Sequence, residues 1–168
     1  VLPYLAGRLR SRWLAGAQIA YGTLAIALAA VNYTLVPLTA LTSHADQTSG
    51  WSYGWDDIAA AVREAEASES VGFVAATDYA LAAPLGFALA DAGVVSLSAK
   101  RDAYDDWFDP AAHQGQTAII VADQWRPLDS VLAARFGEVD TVKSLDIVRF
   151  GKPVDHYTIY LARNYAPG

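Results

Sequence analysis

A run of uncharged residues near the start of the chain limits its possible folds more than any other feature. No Asp, Glu, Lys or Arg occurs between Arg12 and Asp46. The apolar part of this run, Trp13–Val36, would measure about 36 Å as a helix at about 1.5 Å per residue. Because the hydrocarbon core of a bilayer is roughly 30 Å thick, the run predicts one transmembrane helix, which Pro37 ends.

The charges on either side of this span predict its orientation. Arg8, Arg10 and Arg12 precede the span, and no basic residue follows it directly. By the positive-inside rule, the N-terminal end faces the cytoplasm and the rest of the chain is periplasmic or extracellular, on a plasma (inner) membrane. A cleaved signal peptide and a buried core helix are the alternatives, but the apolar run is longer than that of a signal peptide.

The remainder of the chain is acidic. From Asp46 onward there are 9 basic and 18 acidic residues, a net charge of -9. Such a body repels phosphate backbones, so nucleic acid is not an expected partner. The chain has no cysteine, which excludes disulfides and thiolate metal sites, and it has no methionine, so we expect a piece of a longer protein.

Hydrophobic patterns divide the chain into a membrane anchor (1–37), a linker (38–54) and a periplasmic α/β domain (55–168). Apolar runs predict buried strands, and helical spacing with capping residues predicts the helices between them. The expected fold is a small three-layer α/β domain with a mainly parallel sheet and a C-terminal antiparallel hairpin. The predicted strands are Val71–Asp78, Val94–Ala99, Thr117–Asp123, Leu145–Gly151 and His156–Tyr165, and the predicted helices are Trp55–Ala67, Tyr79–Ala92 and Pro127–Phe136, with a short turn or helix at Ala103–Phe108.

Acidic residues follow three of the predicted strands. Asp78, Asp123 and the pair Arg101 and Asp102 would share one sheet edge, where ligands of parallel sheets bind. Alternatively, Asp78 and Asp102 would simply cap the helices that follow them. Three carboxylates could also hold magnesium, but no phosphate-binding loop or known hydrolase motif accompanies them, and we predict no metal site. The aromatic residues could stack on sugar rings or simply form the core.

Four segments in a fixed order resemble a known family. They are G-W-D-D-I-A (Gly54–Ala59), A-T-D-Y-A-L-A-A-P-L-G-F-A-L (Ala76–Leu89), R-D-A-Y-D-D-W (Arg101–Trp107) and G-Q-T-A-I-I-V (Gly115–Val121). The chain resembles, over about Trp13–Tyr165, the C-terminal end of bacterial glycosyltransferases of the protein mannosyltransferase and aminoarabinose transferase type. Ala80, Pro84 and Ala103 depart from the family pattern.

The resemblance implies transfer of a sugar from a polyprenyl-phosphate carrier to a lipid or protein acceptor. The implied partners are the lipid bilayer, a preceding membrane domain and the polyprenyl-phosphate sugar. The catalytic acids, and any divalent cation, would belong to that membrane domain, so we assign no catalytic residue and no cofactor to this chain. The matched residues would line the carrier-side entrance or pack a loop onto the sheet, and they are Asp78, Tyr79, Arg101, Tyr104, Asp105 and Trp107.

A second interpretation belongs to a different functional class. The chain would be an envelope binding or interaction module, held by a single span and without catalysis. A free-standing hydrolase is a third and weaker hypothesis.

Overall fold

The computed structural model describes residues 12–37 and 47–167. Its elements combine an N-terminal apolar helix with a mixed α/β domain. The helices are α1 (Arg12–Thr34), α2 (Gln47–Gly50), α3 (Trp55–Ser68), α4 (Tyr79–Leu89) and α5 (Ser130–Ala133), with a 3-10 helix at Ala103–Asp106. The strands are β1 (Phe73–Ala76), β2 (Val95–Ser96), β3 (Ala118–Asp123), β4 (Glu138–Arg149) and β5 (Lys152–Arg163).

Helix α1 is long and apolar enough to cross a membrane. Its 23 residues carry exposed apolar side chains such as Leu24 and Ile26, whereas a core helix would bury them. The end of α1 contacts the domain, because the Tyr53 hydroxyl donates a hydrogen bond to the carbonyl oxygen of Asn32. This carbonyl lies in the last turn of the helix, where backbone acceptors lack partners within the helix.

The sheet has five strands in the order β2-β1-β3-β5-β4. Strand β1 pairs in parallel with both β2 and β3, while β5 pairs antiparallel with both β3 and β4. The described sheet is therefore mixed, with two parallel and two antiparallel strand pairings, and it combines the expected parallel strands with antiparallel strands at the C-terminal end of the chain. Strands β4 and β5 are twice as long as β3 and extend one side of the sheet with antiparallel pairs.

Both faces of β1 and β3 are buried, which explains why apolar and polar residues do not alternate in their sequences. One cluster of apolar side chains packs α3 and α4 against the sheet and includes Ile58, Val62, Leu81, Leu85, Ile119 and Ile159. A second cluster includes Phe73, Ile120, Phe136 and Tyr165.

The two main helices of the domain begin where the sequence predicts. Helix α3 starts at Trp55 and carries acidic residues in its first turn, where the positive end of the helix dipole stabilises negative charge. Helix α4 follows its predicted N-cap, Asp78, whose carboxylate accepts a hydrogen bond from the Ala80 amide at 2.9 Å. The helix ends at Leu89, before its predicted end at Ala92, because Ala90 adopts the left-handed conformation that closes the helix.

Other predicted bounds differ from the structure. The helix predicted over Pro127–Phe136 shrinks to Ser130–Ala133, because Asp129 caps it by accepting from the Leu132 amide at 2.8 Å. The first half of β4 was not predicted as a strand, because most of its side chains are exposed and its sequence lacks a strong hydrophobic pattern. Strand β5 begins at Lys152, before its predicted start at His156. The end of the predicted linker (38–54) forms α2 and a turn with a buried Tyr53.

Candidate functional site

The residues matched to the family lie in two separate places. Asp78 and Tyr79 stand at the carboxyl end of β1. Arg101, Tyr104, Asp105 and Trp107 lie in and around the 3-10 helix that follows β2. Within the described residues, no hydrogen bond, ion pair or ring contact joins these two groups.

Asp78 belongs to a charged cluster around Arg126. The Nε atom of Arg126 lies 3.4 Å from Asp78 Oδ1, and its Nη1 atom lies 3.1 Å from Asp123 Oδ2. The carboxylate of Asp123 is fully buried and also accepts hydrogen bonds from the amides of Trp125 and Arg126. The guanidinium carbon of Arg126 lies 4.3 Å above the centroid of the Trp51 ring, a cation–π contact.

A second buried acid stands beside this cluster. Asp155 Oδ1 accepts from Gln124 Nε2 at 2.8 Å and from the His156 amide at 2.8 Å. Asp155 Oδ2 and the hydroxyl of Tyr157 are both buried and interact with each other, but without the geometry of a well-formed hydrogen bond. Burial raises the pKa of Asp155 against the opposing effect of its two donors, and burial followed by the charge of Asp155 raises the pKa of Tyr157.

Strand alternation explains why this acid points inward, because Asp155 lies two residues before Tyr157 and four before Ile159, which are both buried. In the β4–β5 register, Ile147 faces Asp155 and Val148 faces Pro153, so Val154 has no partner of its own. The extra residue lets Val154 be buried beside Asp155, although neighbouring strand residues normally face opposite sides of a sheet.

The chemistry of the Arg126 cluster (Trp51, Asp78, Asp123 and Arg126) is that of a structural ion pair. Both carboxylates face one guanidinium, which compensates their charge. Within residues 12–37 and 47–167, no group of three or more His, Cys, Asp or Glu residues has the arrangement of a metal site. The crevice suggested by the sequence is thus occupied by Arg126, which sequence reasoning did not connect with these acids.

The 3-10 helix is held by a reciprocal cap. Asp102 Oδ1 accepts from the Tyr104 amide at 2.8 Å, and Asp105 Oδ2 accepts from the Asp102 amide at 2.6 Å. The other oxygen of Asp102 accepts from Ser96 Oγ at 2.8 Å, which ties the cap to β2. The interpretation of Asp78 and Asp102 as caps is confirmed, and Asp105 has a capping role too.

Arg101 and Tyr79 contribute little to any enclosed site. Arg101 pairs with Asp106 at 3.1 Å, and both side chains are mostly in solvent. Tyr79 is exposed on the first turn of α4.

Tyr104 and Trp107 form an aromatic pair with unequal burial. Their ring centroids are 5.3 Å apart in an edge-to-face arrangement. Tyr104 packs against both core clusters, and its burial, together with the nearby Asp102 carboxylate, raises its pKa. Trp107 remains 74% exposed, which is unusual for a side chain with so large an apolar surface.

Two grooves meet at Trp107. One has a volume of about 360 Å³ and carries Glu66, Asp91 and His113 on its walls. The other has a volume of about 500 Å³ and includes Phe87, whose side chain is 91% exposed. Exposed aromatic rings beside carboxylates can stack on the apolar face of a sugar and accept hydrogen bonds from its hydroxyls.

The grooves lie at the opposite end of the domain from α1. The first groove is lined by Val71–Val74 and Asp91–Val95, at the amino ends of β1 and β2. The end of α1 instead contacts Tyr53, next to the turn between β4 and β5. A ligand at Trp107 would therefore be held away from the helix that is able to cross the membrane.

Comparison with protein-family models, with characterised proteins and with solved structures gave no match to this chain.

Proposed function

We propose that this chain is the C-terminal part of an integral-membrane glycosyltransferase. In this proposal the enzyme moves a sugar from a polyprenyl-phosphate carrier to a lipid or protein acceptor. Helix α1 is its last membrane span, and the three-layer α/β domain with its C-terminal hairpin is an accessory domain on the periplasmic or extracellular side. The catalytic acids lie in the preceding membrane domain.

The observation that carries the proposal is the exposed Trp107 between two grooves. Trp107 is part of the Arg101–Trp107 segment on which the family resemblance rests, and carboxylates of Glu66 and Asp91 stand beside it. This supports contact with a glycan on the acceptor. Because the grooves lie away from α1, we assign Trp107 to contact with the acceptor and not to the entrance for the polyprenyl-phosphate carrier.

A second candidate is a single-span envelope module that binds glycans without catalysis. The Arg126 cluster favours it, because the two acids at the carboxyl edge of the parallel strands are already neutralised by Arg126. The described domain then offers binding surfaces rather than a pair of free carboxylates.

The coding sequence upstream of Val1 distinguishes the two candidates. Many further membrane spans with an acidic loop outside the membrane would support the transferase. A start codon directly before Val1 would contradict the transferase and leave the binding module.

Activity can be tested in membranes that contain the product of the whole gene, supplied with polyprenyl-phosphate sugar and acceptor. Loss of stacking in Trp107→Ala should remove about 1–2 kcal/mol of binding, which lowers kcat/KM for the acceptor about 5- to 30-fold. Trp125→Ala is the matched control, because Trp125 is also partly exposed but lies at the carboxyl end of β3. Equal activity of both variants and the wild type would contradict a role for the grooves.

A further inference from the structure

The turn between β4 and β5 carries an unusual residue for its geometry. Only Phe150 and Gly151 separate Arg149 from its strand partner Lys152, and both have positive φ, at 51° and 70°. Two-residue hairpin turns of this kind favour Asn followed by Gly, and positive φ is uncommon for a bulky side chain. A residue that opposes the local preference indicates a role outside the turn itself.

The turn presents apolar side chains to the outside. We call Val148–Pro153 the hairpin tip. Phe150 is 67% exposed and Val148 is 46% exposed, so the backbone holds two large apolar groups in a position where they contact little of the domain.

The hairpin tip also differs in charge from the body that carries it. It contains Arg149 and Lys152 and no acidic residue, whereas the chain from Asp46 onward carries 18 acids against 9 bases. Exposed apolar side chains flanked by basic ones are typical of a surface that enters the interface of an anionic bilayer.

The contacts of Tyr53 place the hairpin tip beside the end of α1. The Tyr53 hydroxyl donates to the Asn32 carbonyl, and the Arg149 guanidinium lies 5.9 Å from the centroid of the Tyr53 ring. Asn32 is 19 residues after Trp13, or about 28 Å along the helix. This distance is close to the hydrocarbon thickness of roughly 30 Å, so Asn32 reaches the outer boundary when Trp13 lies at the inner one.

We propose that the hairpin tip docks onto the outer leaflet of the bilayer, with Phe150 and Val148 in the interface and Arg149 and Lys152 near anionic headgroups. The tip then acts as a second membrane contact that fixes the domain relative to α1. This inference rests on the membrane crossing of α1 in the proposed function, but it is independent of glycosyl transfer.

Because the chain has no cysteine, single cysteines can carry a spin label at chosen positions. The test uses the full chain in vesicles of phosphatidylcholine and phosphatidylglycerol, labelled at Val148→Cys, Leu24→Cys or Phe87→Cys. Power saturation then compares collisions with oxygen, which concentrates in lipid, with collisions with a water-soluble nickel chelate. Leu24 reports the middle of α1, and Phe87 is the exposed control at the far end of the domain.

We expect the label at position 148 to show a several-fold higher ratio of oxygen to nickel collisions than the label at position 87. Adding Phe150→Asn should lower this ratio towards that of position 87 while the turn is retained, because Asn tolerates positive φ. Phosphatidylcholine alone should lower the ratio as well, since the headgroups then lack net charge.

A lipid-like label at position 24 with an aqueous label at position 148 would overturn the docking and leave the membrane crossing intact. An aqueous label at position 24 would refute the crossing and the docking together. A label at position 148 that is shielded from both reagents would show a protein neighbour and would overturn the assignment to lipid.

Discussion

Replacing Arg126 by methionine removes the cation that neutralises two acids at the carboxyl edge of the parallel strands. Asp123 has a fully buried side chain and Arg126 is 17% exposed, so water screens this pair poorly. Methionine keeps an unbranched apolar stem above the Trp51 ring, so the change removes mainly the charge and its hydrogen bonds.

The expected loss of unfolding free energy depends on the hydrogen bonds that Asp123 keeps after the substitution. Removing one partner of a buried ion pair costs about 3–5 kcal/mol, because the remaining charge is left without compensation. Asp123 keeps two backbone donors after the change, so we expect the lower end, about 3 kcal/mol. With an m value of about 1.5 kcal/mol/M, the urea midpoint should fall by about 2 M.

Urea unfolding followed by far-ultraviolet circular dichroism measures this loss in the detergent-solubilised chain. Arg101→Met is the matched control, because its ion pair with Asp106 is solvent-exposed and should contribute less than about 0.5 kcal/mol. Adding Asp123→Asn to Arg126→Met should recover part of the loss, since it removes the uncompensated charge. An Arg126→Met midpoint equal to that of the control would refute the reasoning.

Two further predictions concern the buried acid and the glycines. Burial raises the pKa of Asp155, so folding binds a proton and stability should fall as pH rises from about 4 through the raised pKa. Asp155→Asn keeps both hydrogen bonds to Oδ1 and removes the ionisable group. In urea titrations it should therefore reduce the loss of stability with rising pH and raise the free energy of unfolding by about 1 kcal/mol at neutral pH. A steeper loss of stability in the variant would contradict this prediction. Gly54→Ala places a Cβ 2.5 Å from Ile147 Cδ1 and should cost about 2–3 kcal/mol. Gly151→Ala has a similar positive φ but open space, so it should cost only about 1 kcal/mol, and equal losses would argue against the packing explanation.

Local signals in the sequence predicted the starts of α3 and α4 and the central strand β3. These features depend on residues that are close in the sequence. They are the start of α3 at Trp55, the cap of α4 at Asp78 and the buried strand Ala118–Asp123. The first half of β4 was missed because it is a polar edge strand, whose pairing with β5 rather than its own hydrophobicity makes it a strand.

The candidate sites were harder to predict from the sequence than the secondary structure. Trp107 was recognised through its segment, but its exposure between two grooves depends on α4 and β1, which are distant along the chain. The basic residue in the loop after β3 was the available signal for the Arg126 cluster, and nothing in the local pattern connected it with Trp51. Asp155 lay between the two predicted C-terminal strands, and only the extension of β5 back to Lys152 places it on the buried face of that strand.

By itself, the sequence determined the apolar helix α1, the acidic character of the domain and most of its helix starts, because hydrophobic runs, charge and caps act over a few residues. Only the tertiary structure decided that β5 lies beside β3, that Arg126 neutralises Asp78 and Asp123, and that Tyr53 joins the hairpin tip to the end of α1. These features depend on contacts between residues far apart in the chain, whose free energy is gained only when the sheet and its core close.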